Sequence, residues 1–438
     1  MARPKTAPDV NINLNVRGLR SSATLVINEK MRSMVRAGKK VYRLGFGQSP
    51  FPVPEPVVSA LRDHAAEKDY LEVKGFHPLR QAVAGYWNRK QQLSFTPEDI
   101  LIGPGSKELL FLLQLVYYGD LVIPTPSWVS YAPQAQIVGR RVDWLPAAPE
   151  NDWRLSPEAL DRHCREDSGR PRIVMLNYPA NPTGSTYTTE RLKQLAEVAR
   201  RHKLILLSDE IYGDLHHNGK HVSIARFYPE GTIISSGLSK WCGAGGWRLG
   251  AFAFPKDLRW LLDAMSVVAS ETFTATSSPI QYAAVAAFSE NPAIDHYLHD
   301  ARRILRIIGN TIHKRLAALR ITAPKPQGGF YLFPDFGAHR AQLAGRGIHT
   351  SKDLCERLLN ETGVAMLPAT DFGCSPHDLC ARLSYVDFDG AKALELARSR
   401  YAETPLDEHF MQTIGGKMLE AVERIGEWVG GGGERGRG

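Results

Sequence analysis

Through the middle of the chain, short apolar runs alternate with longer segments whose apolar residues recur at helical spacing, and that alternation restricts the fold more than any other feature. Residues 172–176, 204–207 and 232–235 read as strands, and residues 190–202 as a helix between two of them. In that helix Leu192, Leu195, Ala196 and Ala199 fall at i, i+3, i+4 and i+7, one stripe for packing on a sheet. The pattern predicts an α/β fold, a mostly parallel sheet covered by helices on both faces.

With 438 residues, 43% of them hydrophobic and 23% charged, the chain can bury a large core, which excludes a disordered or collagen-like polymer. No run of 18 or more apolar residues is present, so neither a membrane-spanning helix nor a membrane partner is expected. The stretch 1–15 lacks the apolar run of a secretory signal, and Cys164, Cys242, Cys355, Cys374 and Cys380 are scattered without a Cys-x-x-Cys pair. A disulfide framework or structural zinc is therefore not expected, and a reducing, cytoplasmic compartment is.

The net charge of +8 resembles a nucleic-acid signal until it is located. Residues 1–43 hold ten Lys or Arg (Arg3, Lys5, Arg17, Arg20, Lys30, Arg32, Arg36, Lys39, Lys40 and Arg43) against Asp9 and Glu29, and the remainder is balanced. A solvated basic arm is the expectation, with no nucleic-acid partner. A Pro-rich stretch at 50–56 and a Pro- and Gly-rich one at 322–329 punctuate the chain. They divide it into an arm with part of a small domain (1–50), a large domain (51–310), a C-terminal small domain (311–429) and a tail (430–438) expected to be mobile.

In open parallel sheets ligands bind beyond the carboxyl ends of the strands, so strand exits are the place to look for chemistry. Residues 100–102 lead into Gly103-Pro104-Gly105-Ser106-Lys107, and 172–176 into the stretch from Asn177 to Gly184. Residues 204–207 lead into Ser208-Asp209-Glu210-Ile211-Tyr212, and 232–235 into Ser236-Gly237-Leu238-Ser239-Lys240. The glycine turn feeds a helix at 108–117 with Ser106 as a possible N-cap, and free amides at such a helix start suit a phosphate. Lys240 is followed by small residues and Arg248; a partly desolvated amine near a second cation loses its proton more readily, as an imine-forming lysine must. Asp209 ends an apolar strand and needs a cationic partner. A nearby arginine, a helix to cap or a protonated pyridine nitrogen would each serve.

One ordered set carries a resemblance: Tyr70 with Gly75 and Leu79-Arg80, the run from Pro126 through Trp128 to Tyr131, Asn181-Pro182-Thr183-Gly184, Asp209 with Tyr212, Ser239-Lys240 with Gly246-Trp247-Arg248, and Arg382. It resembles the fold-type I, class I/II aminotransferases dependent on pyridoxal 5'-phosphate, over about residues 40–390. The resemblance implies a large domain with a mostly parallel seven-stranded sheet between helices, a smaller α+β domain, and a homodimer with shared active sites.

It further implies that Lys240 forms the covalent imine with the cofactor and shuttles the substrate proton, and that Asp209 holds the pyridine nitrogen. Asn181 and Tyr212 correspond to the pair on the phenolic oxygen, and Trp128 to the aromatic on the ring face. Gly105, Ser106, Ser239 and Arg248 correspond to the phosphate site, with Tyr70 reaching across from the other subunit. Arg382 corresponds to the clamp on the substrate α-carboxylate, and Gly47 to the glycine contacting the same group. One departure stands out: many members carry Ser or Thr three residues before the lysine, where this chain has Gly237, so Ser236 or Ser239 would have to substitute.

The implied reaction passes an amino group from an L-amino acid to a 2-oxo acid, with glutamate/2-oxoglutarate as the expected common pair. Lys107 resembles a lysine that pairs with the distal carboxylate of aspartate or glutamate in one branch; a first-turn lysine facing water fits equally. Phe46, Phe51, Trp128 and Phe330 would instead suit an aromatic or aliphatic side chain. The alternatives are a carbon–sulfur lyase or cyclopropane-forming synthase with the same motifs, and a ligand-binding regulator built on this fold.

Overall fold

The computed structural model describes residues 11–19, 21–167 and 169–431. Residues 432–438 of the expected mobile tail, and Arg3, Lys5, Asp9 and Arg20 of the basic arm, lie outside the described residues. Seven strands form one sheet: β1 (Ile100–Gly103), β2 (Asp120–Thr125), β3 (Val142–Pro146), β4 (Arg172–Asn177), β5 (Ile205–Asp209), β6 (Thr232–Gly237) and β7 (Gly250–Ala253). Their order is β1-β7-β6-β5-β4-β2-β3, and all neighbours are parallel except β7, which runs against both β1 and β6. The mostly parallel seven-stranded sheet expected from the sequence is present. No crossover helix separates β6 from β7, so the chain returns antiparallel there.

Both faces of the sheet are covered, which is why its central strands read as continuous apolar runs. Along β4, Ile173 and Met175 pack with leucines of helices Ser106–Val116 and Arg259–Ser270. Val174 and Leu176 face the other way, against Leu192, Leu195, Ala196 and Ala199 of helix Thr189–Arg201, the stripe predicted from spacing. Along β5, Ile205 and Leu207 take the first face and Leu206 the second. The two-residue period then carries Asp209 onto the face of Ile205 and Leu207.

A second, antiparallel sheet joins β8 (Tyr331–Leu332), β9 (Leu367–Pro368) and β10 (Ala381–Ser384) in the order β8-β10-β9. Residues 42–44 attach to it: Tyr42 bridges Val364, and the Ser384 amide donates to the Leu44 carbonyl at 2.7 Å. The long helix Pro292–Ala318 ties the sheets together. Its Ile304, Ile308 and Ile312 belong to one apolar cluster with Ile102 and Ile234 of the first sheet and Leu383 of the second. Among the described residues, no helix is long and apolar enough to cross a membrane.

Candidate active site

Because β1 and β6 each run against β7, they point the same way as β4 and β5, so all four predicted exits lie along one sheet edge. Asp209 ends β5 with 4% of its surface exposed. The Tyr131 hydroxyl donates to its carboxylate at 2.5 Å and the Ile211 amide at 3.3 Å. Burial pushes the Asp209 carboxyl up to about 6, with Glu210 adding to the rise, against the lowering effect of those two donors and of Lys240. A cation placed at this carboxylate would restore its ionised form. Alongside, Asn177 donates to the Asp209 carbonyl at 2.9 Å and accepts from the Asn181 amide at 2.7 Å, linking the β4 exit to the β5 exit.

Lys240 leaves the β6 exit half-buried, its Nζ donating to the Gly47 carbonyl at 2.9 Å. The same nitrogen stands 5.7 Å from the centre of the Tyr212 ring and 5.8 Å from that of Phe330. Tyr212 is buried, and its hydroxyl lies 2.9 Å from that of Tyr331. Phe330, fully buried, meets Tyr212 edge-on at 5.4 Å. Trp128 stands edge-on to Tyr131 at 5.2 Å, one ring removed from Asp209.

Arg382, on β10, is 1% exposed and reaches from the second sheet to the first. One terminal nitrogen donates to Asn181 Oδ1 at 3.1 Å, the other to the Gly45 carbonyl at 2.7 Å, and Nε is buried with no partner. The guanidinium sits 4.6 Å from the Tyr331 ring centre and 5.2 Å from that of Phe372. Burial lowers its pKa, offset by Tyr331, Tyr212 and Asp371. A buried guanidinium held only by neutral oxygens, with a donor to spare, suits an incoming carboxylate.

At the β1 exit the expected Ser106 cap does not form. Ser106 is the first residue of helix Ser106–Val116, and Gly105 holds the capping position with φ at 95°. Glycine suits that position because a φ of 95° strains any residue with a Cβ, and its bare Cα lets the Arg248 guanidinium lie close over the turn. Arg248 is exposed, and one of its terminal nitrogens donates to the Gly245 carbonyl at 2.9 Å. The turn also presses on β7, since a Cβ on Gly250 would lie 2.1 Å from the Ser106 amide nitrogen.

That crowding accounts for Gly237, the register partner of Gly250: a side chain there would meet the Leu249 carbonyl oxygen at 2.6 Å. Of the two candidate replacements, Ser236 lines a different cavity with Glu210, Lys90 and His221. Ser239 remains, half-buried beside Lys240. Ser235, the register partner of Asp209, adds a buried hydroxyl without a partner.

Lys107 borders a cleft of about 1520 Å³ that Val129, Thr370, Asp371 and residues of helix Ala23–Arg36 also line. Its Nζ lies 5.4 Å from the Trp128 ring centre. Partial burial lowers its pKa, and Arg248 and Lys240 lower it further, so Lys107 is one of three cations gathered here.

Besides Ser236, Tyr70 is an expected site residue the chain does not bring to this cluster. It is 89% exposed, and its loop bonds elsewhere, Lys74 to Asp263 at 2.7 Å and Ser278 to the Asp69 carbonyl at 2.6 Å. Sequence reasoning in turn assigned no role to Tyr131 or Tyr331. Tyr131 stood in view three residues after Trp128, and Tyr331 directly after Phe330.

These residues fit pyridoxal 5'-phosphate on their own chemistry. Asp209 is a buried acid wanting a cation, Arg248 lies over the Gly105 turn at a helix start whose free amides suit an anion, and Lys240 supplies an amine near enough to act on Asp209. Residues 39–399 match the sequence model for aminotransferase class I and II. The chain is 35% identical to an aspartate aminotransferase of Geobacillus stearothermophilus, covering 88% of this chain and 96% of that one. It is 32% identical to an aspartate/prephenate aminotransferase of Thermus thermophilus, over 88% and 97%. Among solved structures, the Thermus thermophilus aspartate aminotransferase with maleate superposes with a TM-score of 0.81 at 29% identity, covering 96% of this chain and all of that one. The chain belongs to the class I and II aminotransferases and is a pyridoxal 5'-phosphate-dependent enzyme of fold type I.

Proposed function

We propose that this enzyme transfers the amino group between a dicarboxylic L-amino acid, aspartate or glutamate, and a 2-oxo acid, with glutamate/2-oxoglutarate as one pair. The observation carrying the choice of substrate is a second cation, Lys107, on a cleft that Asp371, a neighbour of Arg382, also lines. Its lowered pKa marks a group whose charge a distal carboxylate would stabilise. Relatives named for aspartate, and a maleate-bound structure among them, support the same class.

When bound, pyridoxal 5'-phosphate supplies an electron sink for the α-carbon of the substrate. Lys240 Nζ would hold the cofactor covalently and carry the substrate's α-proton, and the Gly47 carbonyl accepts from that nitrogen at 2.9 Å. Asp209 would hold a proton on the ring nitrogen, and the Tyr131 hydroxyl donates to Asp209. Asn181 and Tyr212 would bind the phenolic oxygen, and Trp128 would cover the ring face. The amides at Gly105 and Ser106, the Ser239 hydroxyl and Arg248 bind the phosphate. Arg382 would take the α-carboxylate in two parallel hydrogen bonds, with the backbone at Gly47 beside it, while Phe330 packs edge-on against Tyr212 and near Lys240.

The enzyme works as a homodimer in which Tyr70 of each chain completes the partner's phosphate site; its exposure supports this reading. It acts in the cytoplasm, where its five free cysteines stay reduced.

The test is a half-reaction screen in which each amino acid is added to the loaded enzyme and loss of the cofactor's visible band is followed. Aspartate and glutamate should react fastest. Lys107→Ala should lower their kcat/KM about 10-fold or more while sparing alanine. An unchanged aspartate-to-alanine ratio in that variant would remove Lys107 from substrate recognition.

A further inference from the structure

Tyr331 lies where three of the groups assigned above meet. It is buried on β8, beside Arg382 on β10. Its hydroxyl is 2.9 Å from the Tyr212 hydroxyl, and its ring centre lies 4.6 Å from the Arg382 guanidinium. A Cβ on Gly47 would fall 1.9 Å from its oxygen, so the glycine whose carbonyl holds Lys240 is hollowed out around this phenol. Tyr212 and Tyr331 meet edge-on at 5.6 Å, which fixes both rings.

Two hydroxyls in contact carry two protons, and the contact uses one. If Tyr331 donates, the Tyr212 proton is free to point at a third oxygen; if Tyr212 donates, it is not. Arg382 stacks on the Tyr331 ring and donates to Gly45 and Asn181, leaving the Tyr331 hydroxyl to Tyr212. We propose that Tyr331 is a positioning residue: it donates to Tyr212, so that the Tyr212 proton is aimed at the cofactor's phenolic oxygen, while its ring keeps the Arg382 guanidinium flat for the carboxylate. The proposal rests on the assignment of Lys240, Tyr212 and Arg382 made under the preceding heading. The titratable groups facing the pair are Arg382, Asp209 and Tyr385, with Lys240 over the Tyr212 ring. All of them stay in place in a Tyr331→Phe variant.

The readout is the pH midpoint at which the visible band of the loaded enzyme changes, measured without substrate. A donor on the phenolic oxygen withdraws electron density from the conjugated imine, so losing it raises the midpoint. Tyr331→Phe should raise it by roughly half to one unit, the size of one neutral hydrogen bond, and Tyr212→Phe by more. The double variant should match Tyr212→Phe alone, because the Tyr331 hydroxyl acts only through Tyr212. Succinate should bind Tyr331→Phe as it binds wild type, since the ring remains, and Tyr331→Leu several-fold more weakly. A midpoint unmoved in Tyr331→Phe, or a shift that adds fully to that of Tyr212→Phe, overturns the proposal while leaving the Tyr212 assignment intact. A midpoint unmoved in Tyr212→Phe overturns that assignment itself, and the two failures are told apart by which variant is silent.

Discussion

Asp209→Asn should abolish a pH dependence of stability that the cofactor-free protein owes to one buried carboxyl. Burial holds Asp209 at about 6 in the folded chain against 3.8 as its reference value. The folded state therefore binds the Asp209 proton more tightly than the unfolded state, and the stability this lends is complete below pH 3.8 and lost as pH rises through about 6. Two pKa units correspond to about 3 kcal/mol in all. Roughly 1.4 kcal/mol of this falls between pH 5 and pH 8, where the protein is most easily handled. Urea unfolding of cofactor-free wild type and Asp209→Asn, at fixed protomer concentration, reads it directly. The wild type should lose about 1.4 kcal/mol more than the variant between those pH values. If Asp209 holds the ring nitrogen as proposed, loading the wild type at pH 8 should restore stability, because a cation would then face the ionised carboxylate. Equal pH dependence in the two proteins would refute the reasoning, since no other change accompanies the isosteric substitution.

In Tyr131→Phe the carboxyl loses its 2.5 Å donor, so the same loss of stability should move to higher pH by about one unit in the same unfolding assay. Arg382→Lys should lower kcat/KM for aspartate, alanine and phenylalanine alike, by about 10- to 100-fold for the lost charged hydrogen bonds; a selective loss for one substrate would place the α-carboxylate elsewhere. Gly47→Ala puts a methyl 1.9 Å from the Tyr331 oxygen, and should cost about 1 to 3 kcal/mol in unfolding measurements as well as displacing the carbonyl that holds Lys240. Lys240→Ala should keep its fold by circular dichroism yet carry no cofactor after borohydride reduction.

What could be read from the sequence was whatever one strand and its exit contain. An apolar run ending in Asp209, a lysine after a second run, and a helix stripe at 3.6-residue spacing are local facts, and each element formed within a residue or two of its expected limits. What could not be read depends on which segments the topology brings together. Tyr131 is 78 residues from Asp209, and Tyr331 is 119 from Tyr212, so neither pairing leaves a trace in the local pattern. The misread at Ser106 has the same origin. Ser before a helix is a good local cap, but the turn at Gly105, with φ at 95°, takes the capping position and leaves Ser106 as the first helical residue. Gly237 looked like a missing ligand; the close approach of β6 and β7 shows it to be a steric requirement of the sheet.

The division of labour between the two sheets explains why Arg382 is left with neutral partners. Asp209, Tyr212 and Lys240, the groups proposed to hold the cofactor, follow β5 and β6, whereas Arg382 and Tyr331 stand on β10 and β8, so the proposed site exists only while the sheets stay packed. Arg382 reaches back to Asn181 across 201 residues and to Gly45 across 337, and these bonds aim the guanidinium without cancelling its charge. A carboxylate in their place would bind it more tightly, and a substrate would then have to displace an ion pair rather than an amide and a carbonyl. Asp371, near enough to affect Arg382, has its own carboxyl pushed up to about 6 by burial. The neutral acceptors thus keep the guanidinium oriented while the strongest contact it can make stays open for the carboxylate proposed to bind there.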